Sequence, residues 1–465
     1  MIVMKFGGTS VEDAPSIERV AEIIRARLAL KPVVVVSAMG KTTSRLLQAA
    51  RASAAGDNRA TLGIVADLKT RHSSEARRLV KNSSGREVFS LIEKHFEELK
   101  KLLEGLAVLG EVPPRGLDKI LAYGELLSSA VLADALAERG IASRLMDARE
   151  LIQTDDRYGS ASPLVEITNA RIRAAIPEAL KSGAVPVIQG FIGSSRDGAT
   201  TTLGFEGSDY TATIIGAALE ADDVQIWKDV SGLMTADPAI FSSARTVKFC
   251  SFAEAADLTH FGAKVLHPKA IHPAARKNIP VHIYNSKKPS ATGTSITASA
   301  PRCENPIKSI AYKRPVTIIN ATASGGDASH FASADDLLNA FLDALAQRRV
   351  QPLLISVSAS NIVLALDSRD LRHRGRDLIE AVSSYGNATA EADRAIVSLV
   401  GEGLASDSSL ISRVLTALAA AELGLIVHGS STITTSFVIA EGDVESVIAK
   451  LHETFFDKLD PQVFE

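Results

Sequence analysis

Pro32-Val33-Val34-Val35-Val36 is the stretch that decides the fold. An unbroken β-branched run of this kind reads as a strand covered on both faces. Ser37-Ala38-Met39-Gly40-Lys41-Thr42-Thr43-Ser44 ends it with turn-forming and hydroxyl residues. Upstream, Ile17, Val20, Ala21, Ile24 and Leu28 recur at helical spacing. Before that helix, Ile2 to Phe6 reads as a short buried strand, broken by Gly7-Gly8-Thr9-Ser10. Strand, helix and strand make one βαβ unit, and the parallel crossover predicts an α/β sheet.

Residues 45–120 read as a mostly helical subregion. Val88, Leu91, Ile92, Phe96, Leu99, Leu102 and Leu103 form an apolar stripe at three- and four-residue steps. His95 lies on that stripe and reads as a core or interface residue rather than a ligand. The strand-helix alternation returns with a helix over 125–138 and strands at 143–146, 185–189, 224–227 and 282–285. These elements define a first domain over 1–290. Residues 291–306, rich in Ser, Thr, Lys, Pro and Ala, read as a linker. Beyond it, 307–390 and 391–465 read as two copies of a small β-α-β-β-α unit. By fold-level inference, such a pair more often binds a small molecule or a second subunit than performs chemistry.

Lys+Arg 51 against Asp+Glu 54 is nearly balanced, so no nucleic-acid or anionic-membrane footprint is expected. Cys250 and Cys303 are the only cysteines, which argues against a disulfide framework or a thiolate zinc site. The N-terminal residues lack the pattern of a secretory signal. No uncharged apolar run approaches the roughly 18 residues that span a bilayer. A cytoplasmic protein with no membrane partner is expected.

There is no GxxxxGK[ST] and no GxGxxG. Other glycine-rich strand-to-helix turns can cradle phosphate through backbone N–H groups. Gly7-Gly8-Thr9-Ser10 is one such turn, with Lys5 just before it, and Gly190 to Gly193 after Val187-Ile188-Gln189 is another. Lys5 reads equally as a snorkelling surface lysine or as a phosphate clamp. Thr200-Thr201-Thr202-Leu203-Gly204-Phe205-Glu206-Gly207-Ser208-Asp209 leads into a helix, with Ser208 as its capping hydroxyl and Asp209 in its first turn. An acid held there can bind metal, take a proton or orient a lysine, or it can serve only as part of a helix cap. Ligands of open parallel sheets collect at the carboxyl ends of strands, where all these turns fall.

Seven segments together resemble the aspartate kinase family, in that family's order. They are Lys5-Phe6-Gly7-Gly8-Thr9-Ser10-Val11, Ser37 to Thr43, Tyr123-Gly124-Glu125, Gly190-Phe191-Ile192-Gly193, Thr200–Thr202 with Gly207-Ser208-Asp209-Tyr210, Asp229-Val230 with Ala236-Asp237-Pro238, and Phe261 to Pro268. The resemblance covers essentially the whole chain. It implies an amino acid kinase-type three-layer α/β sandwich with a mainly parallel central sheet, followed by two ACT-like α+β units of ferredoxin-like form. The implied reaction is ATP-dependent phosphorylation of the side-chain carboxylate of L-aspartate, toward lysine, threonine and methionine. Lys5 would neutralise the transferring phosphoryl group and Asp209 would organise the lysine. Substrate contacts would fall on Ser37, Thr43, Ser208 and Glu125, the last meeting the α-ammonium from a helix start. Nucleotide contacts would be Lys5, Gly7, Gly8, Lys228, Asp229, Met234, Asp237 and Lys264. Mg²⁺ bridging the phosphates would need few protein ligands. A homodimer and an amino-acid effector at the ACT-like units are implied as well.

The chain departs from that family at three places. Its usual LGRGGSD is Leu203-Gly204-Phe205-Glu206-Gly207-Ser208-Asp209 here, so the arginine that grips the α-carboxylate is Phe205. Phenylalanine supplies none of a bidentate guanidinium pair. Arg196 or Lys41 would have to substitute, or specificity would be altered, or activity weak. In the nucleotide loop, Met234 and Ala239 stand where the family has tyrosine and arginine. The family's effector loop carries Gly-Phe-Leu and an acid. The corresponding segments here are Ser329-His330-Phe331-Ala332-Ser333-Ala334-Asp335 and Val350-Gln351-Pro352, which imply weak or altered lysine feedback. Two other readings compete: a kinase of the same fold acting on a different small carboxylate, and a non-catalytic regulatory subunit.

Overall fold

The computed structural model describes all residues except 82–84, 205, 264–265, 267, 324–333, 349, 372–374, 383–385 and 405–407. The chain forms two compact units: Met1–Gly232 with Val265–Ala300, and Leu233–Lys264 with Pro301–Glu465.

The first unit is built on a mainly parallel sheet. Its elements in chain order are β1 (Ile2–Phe6), α1 (Ala14–Arg25), β2 (Pro32–Val36), α2 (Thr42–Ala54), α3 (Asn58–Leu79), α4 (Gly85–Leu109), α5 (Pro114–Glu138), β3 (Ser143–Met146), α6 (Ala148–Leu151), α7 (Val165–Lys181), β4 (Val185–Gln189), β5 (Ile192–Ser194), β6 (Thr200–Thr202), α8 (Gly207–Leu219) and β7 (Asp223–Lys228). The strand order is β3-β4-β2-β1-β7, continued by Val281–Asn285 and Thr294–Thr297. β1 pairs in parallel with β2 and with β7, Lys5 lying opposite Val35 and Ile226. Val33 to Val36 are all fully buried. Successive strand residues point to opposite faces, so both faces of β2 are covered, as the β-branched run predicts. α5 packs on β2, β3 and β4, and α8 on β1, β2 and β7.

Among the described residues, 45–120 are mostly helical, in α2 to α5, but the helix that carries Glu125 begins at Pro114, not at 125. Proline at the first helical position fits because its missing N–H is one of the orphan donors there. Glu125 therefore sits mid-helix, and the first-turn reading is corrected. α5 is long and apolar enough by composition to cross a membrane, yet most of it is buried inside the unit, which makes it a core helix. Thr294–Thr297, expected within a linker, pairs antiparallel with Val281–Asn285.

The second unit holds an antiparallel sheet in the order Leu354–Val357, Asn361–Asp367, Ser309–Ala323, Gly386–Val400, Thr434–Ala440, Leu423–Val427. The expected tandem copies share strands instead of following one another. Ser309 to Lys313 pair with Ile396 to Val400, whereas Val316 to Ala323 pair with Gly386 to Arg394 after register shifts. The first half is thus inserted into the second, and Gly386–Val400 runs through the 390/391 boundary. The inserted half has its own core of Ile319, Leu337, Phe341, Leu345, Ile362, Leu364 and Leu378.

Candidate active site

Backbone hydrogen bonds lace the carboxyl ends of the central strands together. Gly7 N donates to Trp227 O at 2.9 Å, Ser37 N to Phe6 O at 3.1 Å, Gly190 N to Val36 O at 2.8 Å, and Gly40 N to Gly8 O at 2.9 Å. Two glycines make this convergence possible. A Cβ on Gly8 would lie 2.8 Å from Ala38 O, and one on Gly190 would lie 2.5 Å from Ser208 Cβ. The sheet's strand ends and the start of α8 therefore abut without side chains between them.

α8 begins at Gly207, and its cap position is Glu206, in the left-handed region at φ 54°, with no side-chain cap bond. Ser208 is consequently not the capping hydroxyl. Capping by a hydroxyl needs an extended residue just outside the helix, and Ser208 already lies in the first turn. Asp209 does lie in that first turn, fully buried, where the helix dipole favours an anion.

Two lysines converge on Asp209. Lys5 Nζ is 2.7 Å from Asp209 Oδ1, and Lys228 Nζ is 2.9 Å from Oδ2. Glu206 Oε2 stands 3.9 Å from Lys228 Nζ. Burial lowers the Lys5 pKa, and the neighbouring Lys228 adds to this, so Asp209 only partly offsets the shift. Burial opposes ionisation of Asp209 as well, yet Lys228 and Lys5 hold it below the usual carboxylate range. Burial also lowers Lys228, but Asp209 and Glu206 more than offset it and leave Lys228 raised. The result is a largely buried group in which Asp209 holds two ammoniums side by side, with Glu206 at its edge, and the paired ammoniums suit an anionic ligand.

Beside it lies a cavity of about 600 Å³, lined by Gly8, Ser37, Thr43, Glu125, Glu206 and Ser208 among others. Glu125 Oε1 accepts from Ala38 N at 3.1 Å, and its buried Oε2 has no hydrogen-bond partner. Burial pushes the Glu125 pKa up to about 8. A half-used buried carboxylate at a cavity wall is a place for a cationic ligand group. The wall is held by Asp118, one helix face with Glu125 on α5. Asp118 accepts from Gly159 N at 3.0 Å, Thr202 N at 2.8 Å and Thr202 Oγ1 at 2.9 Å. It ties the loop before α7 and the end of β6 to α5.

The structure brings Lys5, Gly7, Gly8, Ser37, Thr43, Glu125, Ser208, Asp209 and Lys228 to one edge of the sheet, and Asp229 directly follows Lys228 at the end of β7. Met234 and Asp237 belong to the second unit. There Ser309 Oγ donates to Met234 O at 2.6 Å and Tyr312 OH to Asp237 Oδ2 at 3.2 Å. Phe205, Lys264 and residues 329–333 lie outside the described residues. The sequence reading missed Asp118 and Glu206 as site residues. The seven-residue spacing from Asp118 to Glu125 was the available signal, since it places both on one helix face.

Residues 1–285 match the amino acid kinase family, and residues 397–455 match the ACT domain. "Aspartokinase 2, chloroplastic" of Arabidopsis thaliana is 34% identical over 98% of this chain and 84% of its own length. "Lysine-sensitive aspartokinase 3" of Escherichia coli K12 is 30% identical over 98% of this chain and 99% of its own. A crystal structure of E. coli aspartokinase III in complex with aspartate and ADP, in the R-state, superposes with a TM-score of 0.88 at 30% identity. It covers 98% of this chain and 100% of that one.

Proposed function

The chain belongs to the amino acid kinase family, in its aspartokinase branch, and from that premise we propose how its own residues carry out the reaction. The reaction is transfer of the γ-phosphoryl of ATP to the side-chain carboxylate of L-aspartate, giving 4-phospho-L-aspartate and ADP. A carboxylate oxygen forms the new P–O bond as the bond from the γ-phosphorus to the β,γ-bridging oxygen breaks. The observation that carries this assignment to the site is the buried Lys5–Asp209–Lys228 group, whose Asp209 directly follows Ser208 in the wall of the cavity that Glu125 also lines.

Glu125 receives the α-ammonium of aspartate on its free oxygen, and Ser37, Thr43 and Ser208 bound the rest of the substrate. Gly7 and Gly8 let the nucleotide phosphates come close to the backbone. Lys5 and Lys228 face the charge that accumulates on the transferring phosphoryl oxygens. Asp209 keeps both ammoniums in place and charged. Such preorganised charge, with positioning, supplies most of the catalysis in phosphoryl transfer. Asp229, at the end of β7, is a further nucleotide contact in this reading.

Magnesium would neutralise phosphate charge. Among the described residues no group of three or more metal-ligating side chains occurs, and Asp209 is already held by two lysines. That donor set fits an ion carried chiefly by the nucleotide and water, with Asp229 as an available carboxylate.

The test is ADP release with MgATP against L-aspartate, glutamate, N-acetylglutamate and succinate. Aspartate is expected to be turned over most efficiently. Preference for another acceptor would move the assignment to a different small carboxylate.

Glu125 also sets a pH dependence. Its carboxyl is protonated below about pH 8 in the free protein, and only the ionised form pairs with an ammonium. kcat/KM for aspartate should therefore rise between pH 6 and pH 8.5, because that parameter reports groups of the free enzyme. Glu125→Gln should flatten this rise and lower kcat/KM about 10- to 100-fold, the value of a hydrogen bond to a charged group. An unchanged pH profile in the variant would remove Glu125 from this role.

The second unit is read as the seat of an amino-acid effector, supported by its ACT match, and the protein as a cytoplasmic homodimer. Exposed Ile355, Val357 and Ile426 on the outer strands are surfaces that such pairing would cover. Light scattering that reads a monomer at micromolar concentration would exclude the dimer, and tight lysine binding by calorimetry would exclude weakened feedback.

A further inference from the structure

Aspartate carries three charged groups, and the residues placed so far receive two of them. Glu125 takes the ammonium, and the lysines face the carboxylate that is phosphorylated. The α-carboxylate still needs a cation, because burying an unpaired carboxylate is costly. Position 205 offers only a phenylalanine. Arg196 and Lys41, the two bases nearest that problem in the sequence reading, do not line the cavity.

Among the described residues, Arg51 is the one cation that does line it. It continues a row on α2 formed by Thr43, Ser44 and Leu47, at offsets that share one helix face. Its Cα lies about 12 Å along the axis from that of Thr43, from the rise per residue. Helical side chains lean toward the N-terminus, a direction that lets the long Arg51 side chain reach back past Leu47 toward the substrate end. No hydrogen bond or ion pair occupies its guanidinium among the described residues. Arg45, earlier on α2, donates to Asp67 Oδ2 at 2.9 Å, and Arg71 of α3, whose guanidinium lies against Gly40, donates to Glu12 O at 2.8 Å. Leu117 and Leu121 of α5 line the cavity with it. Arg51 itself is solvent-exposed, so a guanidinium–carboxylate pair here gains from its two-point geometry rather than from burial.

We propose that Arg51 holds the α-carboxylate of the substrate and thereby selects an α-amino dicarboxylate over an amine-bearing monocarboxylate. This inference rests on the aspartokinase reading of the site. Arginine suits the task because its planar fork matches a carboxylate with two parallel hydrogen bonds.

The test compares wild type, Arg51→Ala and Arg51→Lys on L-aspartate and on the α-amide of L-aspartate, which keeps the ammonium and the reacting carboxylate. Arg51→Ala should raise KM for aspartate about 10- to 100-fold, the loss of a charge-assisted pair. It should leave KM for ATP and the efficiency with the α-amide unchanged, so the preference for aspartate over the amide collapses. Arg51→Lys should recover part of that preference through its point charge. An unchanged aspartate KM and an unchanged preference in Arg51→Ala would overturn the proposal. So would equal losses with both substrates together with weaker ATP binding, which mark a structural role. Failure of the aspartokinase reading is seen separately, as wild type that turns over neither substrate.

Discussion

Asp209→Ala is expected to lower kcat about 10²- to 10³-fold, the usual cost of removing one element of transition-state charge stabilisation. Asp209 need not touch the phosphoryl group for this to hold. It is the anion that keeps Lys5 and Lys228 ionised and aimed, from 2.7 and 2.9 Å. Lys5 is already lowered by burial and by Lys228, with Asp209 acting in the opposite direction. Removing the carboxylate pushes Lys5 further down, toward the neutral amine. The alkaline limb of the kcat–pH profile should therefore move to lower pH in the variant. The fold should persist, since Lys5 can release its proton instead of remaining as an uncompensated buried charge. A kcat within threefold of wild type, with an unmoved alkaline limb, would show that the triad is structural only.

Lys308→Met is expected to destabilise the second unit by about 3–5 kcal/mol, the cost of breaking a buried ion pair from one side. Lys308 Nζ lies 2.9 Å from Glu254 Oε2, and neither side chain is more than 2% exposed. The same Glu254 oxygen accepts from Ser251 N at 2.8 Å, closing a capping box at the start of Phe252–His260, while Oε1 is buried without a hydrogen bond. Methionine would leave that carboxylate without its cation in a dry site. The expected drop in melting temperature is roughly 10 °C or more. Glu254→Leu combined with Lys308→Met should recover most of the loss, because matched apolar replacement of a buried pair is often neutral. The cap itself is worth only about 1 kcal/mol. Equal melting temperatures for wild type and Lys308→Met would contradict this account.

The parts of the fold that were legible in the sequence rest on local chemistry. Pro32–Val36 declares a doubly covered strand by composition alone, and Lys5 before Gly7-Gly8 marks a strand end where a ligand can approach the backbone. Glu125 was expected at a helix start, whereas it lines the cavity from the middle of α5. The apolar residues from Leu117 onward extend the helix back to Pro114, and proline there opens a helix instead of closing one. Ser208 was misread as a cap because its hydroxyl is the usual capping type. The chain instead enters α8 through the left-handed Glu206, a conformation that composition does not announce. Asp118 was hard to see for a different reason, since helical spacing marks its face and nothing more. Its role depends on a contact between distant segments, Asp118 with Thr202, 84 residues away. The shared strands of the second unit were hidden in the same way. Ser309–Ala323 and Gly386–Val400 are each long enough to serve two half-sheets, and only their pairing shows where one half ends.

The most direct test of the central claim is to trap the product of the wild-type protein with MgATP, L-aspartate and hydroxylamine, and to identify the hydroxamate by mass spectrometry and NMR. Aspartate β-hydroxamate is expected, formed in step with ADP. ADP release without hydroxamate, or hydroxamate on the α-carboxyl, would contradict it.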